Sequence, residues 1–353
     1  MANTERPIVV IDGMCCWIRF FLGNQETNAI GEPFGGPIGF LRLVKNLLRQ
    51  FTPSQIVVVW EAGGGSKRRK KLLGSYKEGA GASETNRDVF EDRKGFQKDL
   101  MKDESLKAKQ LLFLNKILKQ LAVRQVYVRD AEGDDVVAFL LKEIYGPTSE
   151  YASTMKIVVS NDKDYYQFLD DPQVRMYHPG KKLLYNQDLA SEDCAGIFIG
   201  NYCVAKALTG DNSDNIDGVP GVGYKSLAKY YPVLTEKKEI LLGDFIDYTN
   251  QIYDTVVKEQ SGKKKPKIPN AVQNVKDHID IIKRNYKLIY IGSSALTSPQ
   301  QDLIRKMLHL ELPNQNLVEY LKIFREYRVN IMQEHEILFT ESSLFVKRKS
   351  VTE

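Results

Sequence analysis

Four short runs of apolar, mostly β-branched residues punctuate the first half of the chain, and each of them leads into acidic residues. Ile8-Val9-Val10-Ile11 stops at Asp12-Gly13, and Ile56-Val57-Val58-Val59-Trp60 stops at Glu61, ahead of Gly63-Gly64-Gly65. Val126-Tyr127-Val128 leads to Asp130 and then Glu132-Gly133-Asp134-Asp135, and Ile157-Val158-Val159-Ser160 leads to Asp162-Lys163-Asp164. Continuous apolar runs of this length are the pattern of strands buried on both faces of a parallel sheet. Helical periodicity fills the gaps. Ile38 to Phe51 sets Phe40, Leu41, Val44, Leu47 and Leu48 on one stripe, and Leu106 to Leu121 does the same with Leu111, Leu114, Ile117, Leu118 and Leu121. Strands alternating with helices predict an open α/β sheet with right-handed crossovers. Such sheets bind ligands outside the carboxyl ends of their strands. That rule gathers Asp12, Glu61, Glu132, Asp134, Asp135, Asp162 and Asp164 along one edge.

Taken singly, each acid reads equally well as a helix cap or a turn residue. Taken together they would repel one another and raise each other's pKa values unless a cation sits among them. Oxygen ligands without histidine or cysteine point to magnesium, with manganese as a substitute, rather than zinc. Further along, Leu208-Thr209-Gly210-Asp211-Asn212-Ser213-Asp214 adds two acids three residues apart, able to share one face of a helical turn. Gly218-Val219-Pro220-Gly221-Val222-Gly223 then reads as a tight hairpin opening a helix from about Tyr224 to Tyr231. Glycines let backbone N–H groups approach a phosphate, and a helix N-terminus favours the negative charge. Gly218, Gly221, Gly223, Lys225, Ser226 and Lys229 are therefore the expected contacts to a nucleic-acid backbone, gripped without reading its bases.

Composition narrows the picture only a little. At 353 residues, one large domain plus a smaller one is expected, and 42% hydrophobic residues suffice for a real core. The net charge of +5 says less than its distribution: Lys67-Arg68-Arg69-Lys70-Lys71 is an unbroken basic run set among the acids, and Lys263-Lys264-Lys265 is a second. Cys15, Cys16, Cys194 and Cys203 show neither zinc nor disulfide spacing, and His178, His278, His309 and His335 lie outside every motif. The start lacks a signal-peptide core, and the apolar stretch Met14 to Leu22 is interrupted by Arg19. A soluble protein of a reducing compartment, with no membrane partner, is expected.

In that order, the segments Val10-Ile11-Asp12-Gly13, Glu132-Gly133-Asp134-Asp135, Asn161-Asp162-Lys163-Asp164-Tyr165-Tyr166-Gln167 and Leu208 to Gly223 resemble the flap endonuclease and 5′→3′ exonuclease family. That family includes phage exonucleases with RNase H activity and the N-terminal nuclease domain of bacterial DNA polymerase I. The resemblance covers about residues 7 to 232. It implies a PIN-like α/β nuclease domain over 1–200 with a helical arch at about 65–106. A helical DNA-binding domain over 201–335 would follow, with a helix–hairpin–helix at about 203–232, and then a frayed tail, 336–353. It implies that Arg69 and Lys77 form a basic pair at the base of the arch and touch the scissile phosphate. It also implies two magnesium ions, one among Asp12, Glu61, Glu132 and Asp134, the other among Asp162, Asp164, Asp211 and Asp214. Asp135 would be shared or set behind them, and a potassium ion would sit at the hairpin.

The implied activity is cleavage of DNA, and of RNA primers in RNA–DNA hybrids, at 5′ ends and flaps during replication. The implied enzyme is a cytoplasmic monomer with replication proteins as partners. Two features depart from the pattern: Glu61 stands where the family has Asp, and residues 234–290 match poorly. Arg284-Asn285-Tyr286-Lys287-Leu288 resembles a segment of phage members and tilts the source toward a phage. A PIN-type ribonuclease and a non-catalytic DNA-junction binder are the competing readings.

Overall fold

A computed structural model describes residues 6–78, 102–259 and 268–350. The stretch 79–101, which holds most of the expected arch, and the basic run Lys263–Lys265 lie outside the described residues.

Six strands form the main sheet: β1 Ile8–Asp12, β2 Gln55–Glu61, β3 Arg124–Val128, β4 Lys156–Val159, β5 Val174–His178 and β6 Leu183–Tyr185. Their spatial order is β3-β2-β1-β4-β5-β6. β1 to β5 run parallel, and β6 returns antiparallel at the edge. The four apolar runs are the four central and neighbouring strands of the sheet. β5 and β6 escaped the pattern because β5 is broken by Arg175 and β6 is only three residues long.

Alternation along the strands splits the core in two. Val9 and Ile11 face one layer, built from helices Gly13–Gly23, Gly35–Phe51 and Glu104–Gln120. Ile8 and Val10 face the other, built from Gly133–Phe139, Tyr202–Thr209, Ile279–Ile289 and Ser298–His309. The strands are buried on both faces because helices cover both, as the apolar runs require.

Among the described residues of 202–308, the buried apolar side chains belong to the same cluster as Ile8, Val57 and Val126 of the sheet. The last two helices, Leu317–Glu326 and Gln333–Ser350, pack on the opposite layer. Phe324 meets Phe113 edge-to-face with ring centroids 5.4 Å apart, and Tyr320, Phe324 and Leu338 are buried. Glu334 bonds Arg42 and Lys45, both at 3.0 Å, and Glu341 pairs with Arg49 at 2.8 Å. Residues 336–343 are therefore docked helix rather than frayed tail. The polar surface of that segment hid its apolar contacts at Leu338 and Phe339.

Candidate active site

The register of the sheet sets how far each acid stands out. Asp12 pairs with Val59 across β1 and β2, so Glu61 lies two residues farther along, roughly 6–7 Å beyond it. Glu61 is solvent-exposed at the mouth, which is the geometric side of its misfit. Asp12 caps helix Gly13–Gly23, accepting from the Cys15 backbone N–H at 3.0 Å. Its other oxygen accepts from Ser160 Oγ at 3.1 Å and from the Tyr165 hydroxyl at 3.3 Å. The same hydroxyl lies 2.6 Å from Asp134, so one buried tyrosine joins the ends of β1, β3 and β4. Burial, and then the neighbouring Asp134 charge, push the Asp12 carboxyl up to about 7. Asp162 starts the helical turn Lys163–Phe168 and accepts from the Asp164 backbone N–H at 2.9 Å. Burial and then Asp164 hold its pKa well above the usual range.

Asp164, Asp211 and Asp214 form a second group, with one oxygen from each within 4.8 Å of the others. Asp211 ends a two-residue strand, Gly210–Asp211, paired with Ile216–Asp217, and the turn Asn212–Asp214 between them brings Asp214 round beside it. Burial raises the Asp214 carboxyl to about 6, with Asp164, Asp211 and Asp134 adding to the rise and Lys77 opposing it. Lys206, on helix Tyr202–Thr209, lies between two members of the group: its Nζ donates to Asp164 and is 2.6 Å from Asp211. It is 7% exposed, and despite its burial these carboxylates hold it firmly protonated. Lys206 was not among the expected site residues; a lysine five residues before a strand-end Asp carries no spacing signal. Three aspartates with only oxygen donors suit a hard divalent cation, and one lysine leaves them net negative.

Glu132 and Asp135 are used differently. Asp135 takes both arms of the Arg69 guanidinium at 3.0 Å each, and Glu132 is 3.1 Å from Arg69 Nη1. Arg69 Nε donates to the Leu288 carbonyl at 2.9 Å. All three side chains are buried, Arg69 to 2% exposure. Arg69, expected at a phosphate, and Asp135, expected beside a metal, here pair with each other through two charge-assisted hydrogen bonds. Glu132 also accepts from the Tyr76 hydroxyl at 3.2 Å and from Lys77 Nζ at 3.0 Å. Burial would raise its pKa, but Lys77 and Arg69 outweigh that and lower it. It faces cations of the protein rather than the open row. Lys77 remains one-third exposed and its backbone N–H donates to the Asp214 carbonyl at 3.1 Å, which ties it to the second group.

The hairpin glycines divide as well. A Cβ at Gly218 would lie 2.2 Å from the Thr209 carbonyl oxygen, so this glycine is demanded by packing inside the protein. Gly221, at φ +71°, and Gly223 have open space beside them, apart from Asn274 near Gly221. Ser226 Oγ exchanges hydrogen bonds with the Gly223 backbone and caps helix Tyr224–Tyr230. Lys225 and Lys229 are exposed. Asn285, buried, donates to the carbonyls of Ala207 at 3.0 Å and Asp217 at 2.8 Å, fixing the hairpin to helix Ile279–Ile289.

Comparison with known proteins adds the following. Residues 7–194 match the family described as 5′-3′ exonuclease, N-terminal resolvase-like domain. The chain is 25% identical over 261 residues to a 5′-3′ exonuclease of Buchnera aphidicola subsp. Schizaphis graminum, covering 73% of this chain and 76% of that one. It is 28% identical over 223 residues to the thermostable DNA polymerase I of Thermus aquaticus, covering 63% of this chain and 23% of that protein. Among solved structures, T5 5′-exonuclease with bound zinc superposes at a TM-score of 0.61 with 18% identity, over 86% of this chain and 98% of that one. Human GEN1 in complex with Holliday junction DNA superposes at 0.51 with 14% identity, over 99% and 73%.

Proposed function

The chain belongs to the 5′-3′ exonuclease family, and from that premise we propose that it cuts DNA at 5′ ends and flaps with two divalent ions, magnesium above all. It is a hydrolytic nuclease of the exonuclease and flap endonuclease kind. The observation that carries the metal reading is the convergence of Asp164, Asp211 and Asp214 beside the tyrosine-linked pair Asp12 and Asp134. Asp12, Asp134 and Asp162, with Glu61 at the mouth, would hold one ion, and Asp164, Asp211 and Asp214 the other. Such ions would supply a bound water of lowered pKa and neutralise charge on the phosphate oxygens. Tyr165 and Ser160 orient Asp12 and Asp134 through their hydroxyls. Lys77, held by Glu132, presents a fixed positive charge to the phosphate as its own charge builds. Arg69 acts as a positioning residue: it fixes Asp135 in the first turn of the helix that carries Asp134.

Gly221, Gly223, Lys225 and Lys229 would grip the backbone of the duplex beyond the cut, where a potassium ion fits the same reading. DNA as substrate implies action in the cytoplasm, of a host if the chain is a phage's, as a monomer alongside replication proteins. Among the described residues no helix is long and apolar enough to cross a membrane.

The test uses end-labelled flapped, nicked and primer–template substrates, an RNA–DNA hybrid and free RNA, with magnesium titrated in. Asp134→Asn or Asp162→Asn is expected to abolish cleavage of the flapped DNA while leaving its binding intact. Cleavage retained in either variant overturns the assignment, and preference for free RNA would turn the reading into a ribonuclease.

A further inference from the structure

A second cleft lies behind the acid row, between the short basic helix Lys67–Lys70 and the end of helix Ile279–Ile289. Its volume is about 260 Å³, and Arg68, Leu72, Tyr286, Lys287 and Tyr290 line it. Tyr286 and Tyr290, one helical turn apart, stack with ring centroids 5.9 Å apart and 16° between their planes. Tyr290 is 38% exposed and Leu72 43%. The cleft is also positive. Arg68 and Lys287 are exposed, and Lys142 Nζ sits 5.3 Å from the centre of the Tyr290 ring. Two nearby carboxylates are engaged: Asp135, 3.6 Å from Arg68, is held on both oxygens by Arg69, and Glu143 accepts from Ser293 Oγ at 3.0 Å, while the charge of the exposed Glu239 acts on Tyr286. The bond from Arg69 Nε to the Leu288 carbonyl staples one wall to the other, so the cleft is held open by the same residue that braces the acids.

A tyrosine pair with one exposed ring beside solvent-facing cations suits a ligand that is flat and apolar at one end and anionic at the other. Unpaired nucleotides have that form, and proteins hold them by stacking plus backbone charge, without sequence preference. We propose that this cleft receives one unpaired nucleotide of the strand being cut, its base joining the Tyr286–Tyr290 stack and its phosphate lying against Arg68 and Lys287. The assignment rests on reading the chain as a DNA nuclease. It adds a reason for a structure-specific enzyme to prefer a flap to a paired end: the cleft rewards a nucleotide that is already free of its partner.

The full chain, in a chelator that stops cleavage, would be titrated onto flapped and fully paired duplexes whose 5′ arm carries 2-aminopurine at successive positions. Quenching at one or two unpaired positions is expected. Tyr290→Ala should remove that quenching and weaken binding of the flapped duplex about tenfold, the worth of one stacked base, with the paired duplex unchanged. Tyr290→Phe should restore both. Lys287→Ala, an exposed change that needs no refolding, should flatten the salt dependence for the flapped duplex alone. Unchanged preference for the flap in both Tyr290→Ala and Lys287→Ala would overturn the cleft assignment while leaving the nuclease intact. A wild-type chain that binds neither duplex would instead overturn the nuclease reading itself.

Discussion

Two groups of carboxylates lie side by side at the strand ends, and the protein neutralises them in different ways. The rear group, Glu132 and Asp135, is closed: Arg69, Lys77 and Tyr76 occupy its oxygens. The front group, Asp12, Asp134, Asp162, Asp164, Asp211 and Asp214, has hydroxyls, backbone N–H groups and one lysine to set against several buried charges. Burial first and neighbouring aspartates after it raise the pKa values of Asp12 and Asp214. The contrast teaches that neighbouring acids in one quartet can do opposite work. Helical geometry turns Asp134 toward the row, while Glu132 and Asp135 meet Arg69. The rear pair is matched by the protein's own cations, while the front set carries a repulsion that a bound cation would relieve.

Substitutions should therefore separate the groups by what they damage. The largest effect is expected at the front. Asp214→Asn should slow magnesium-dependent flap cleavage on the order of 10³-fold, read from initial rates. Its thermal midpoint in a chelator should hold or rise, because a repelling charge has gone. A collapse in stability would erase the distinction.

At the rear, Arg69→Met leaves buried Asp135 without its bidentate partner, while Glu132 keeps Lys77 and Tyr76, and should cost about 3–5 kcal/mol in urea unfolding. Adding Asp135→Leu should recover part of that loss. Failure of the double variant to recover any would mean that Arg69 acts through Leu288 alone.

Acidity offers a third contrast. The folded pKa values of Asp12 and Asp214, about 7 and about 6, lie above the ordinary carboxylate value of 3.8. The folded state thus binds these protons more tightly than the unfolded one. Their contribution is full below about pH 4 and is lost as pH rises through 6 and 7. Stability in a chelator should fall from pH 5 to pH 8, on the order of 1–3 kcal/mol. Asp12→Asn should flatten that slope, and saturating magnesium should as well. A slope unchanged by Asp12→Asn would locate the titration elsewhere.

The smallest effect concerns the hairpin, which neither group touches. Lys225→Ala with Lys229→Ala should lower the dependence of log affinity on log salt by about one per lysine, on every DNA sequence alike. A loss confined to particular sequences would contradict a grip on the backbone.

The strands and the acids that follow them were legible because burial on both faces demands unbroken apolar runs, and loops at strand ends are short. The tightness of the Leu208 to Gly223 block was equally plain. What stayed hidden depends on pairing across the chain. Nothing in the local sequence says that Arg69 points inward to Asp135 while Arg68 and Lys70 face solvent. Lys206 is invisible for the same reason, since its partners Asp164 and Asp211 come from different elements. Gly218 and Gly221 look alike in sequence, yet one is required by the Thr209 carbonyl and the other stands open. Where the later helices pack was not legible, because amphipathic helices signal a buried face without naming what they bury it against.

The docking of helices Leu317–Glu326 and Gln333–Ser350 onto the first layer of the sheet bears on how the chain acquires its shape. Phe113, 0% exposed, is covered from the side by Phe324, more than two hundred residues later, and the Asn28 amide donates to the Tyr327 carbonyl at 3.3 Å. Contacts this distant in sequence carry a heavy loop-closure entropy and slow the search for the native state. A nascent chain would hold the aromatic surface around Phe34 and Phe113 bare until its last helices emerge. The clustered acids, all upstream of residue 215, would be synthesised well before the layer that supports them is sealed, and that interval is when a chaperone or an aggregate can claim the chain.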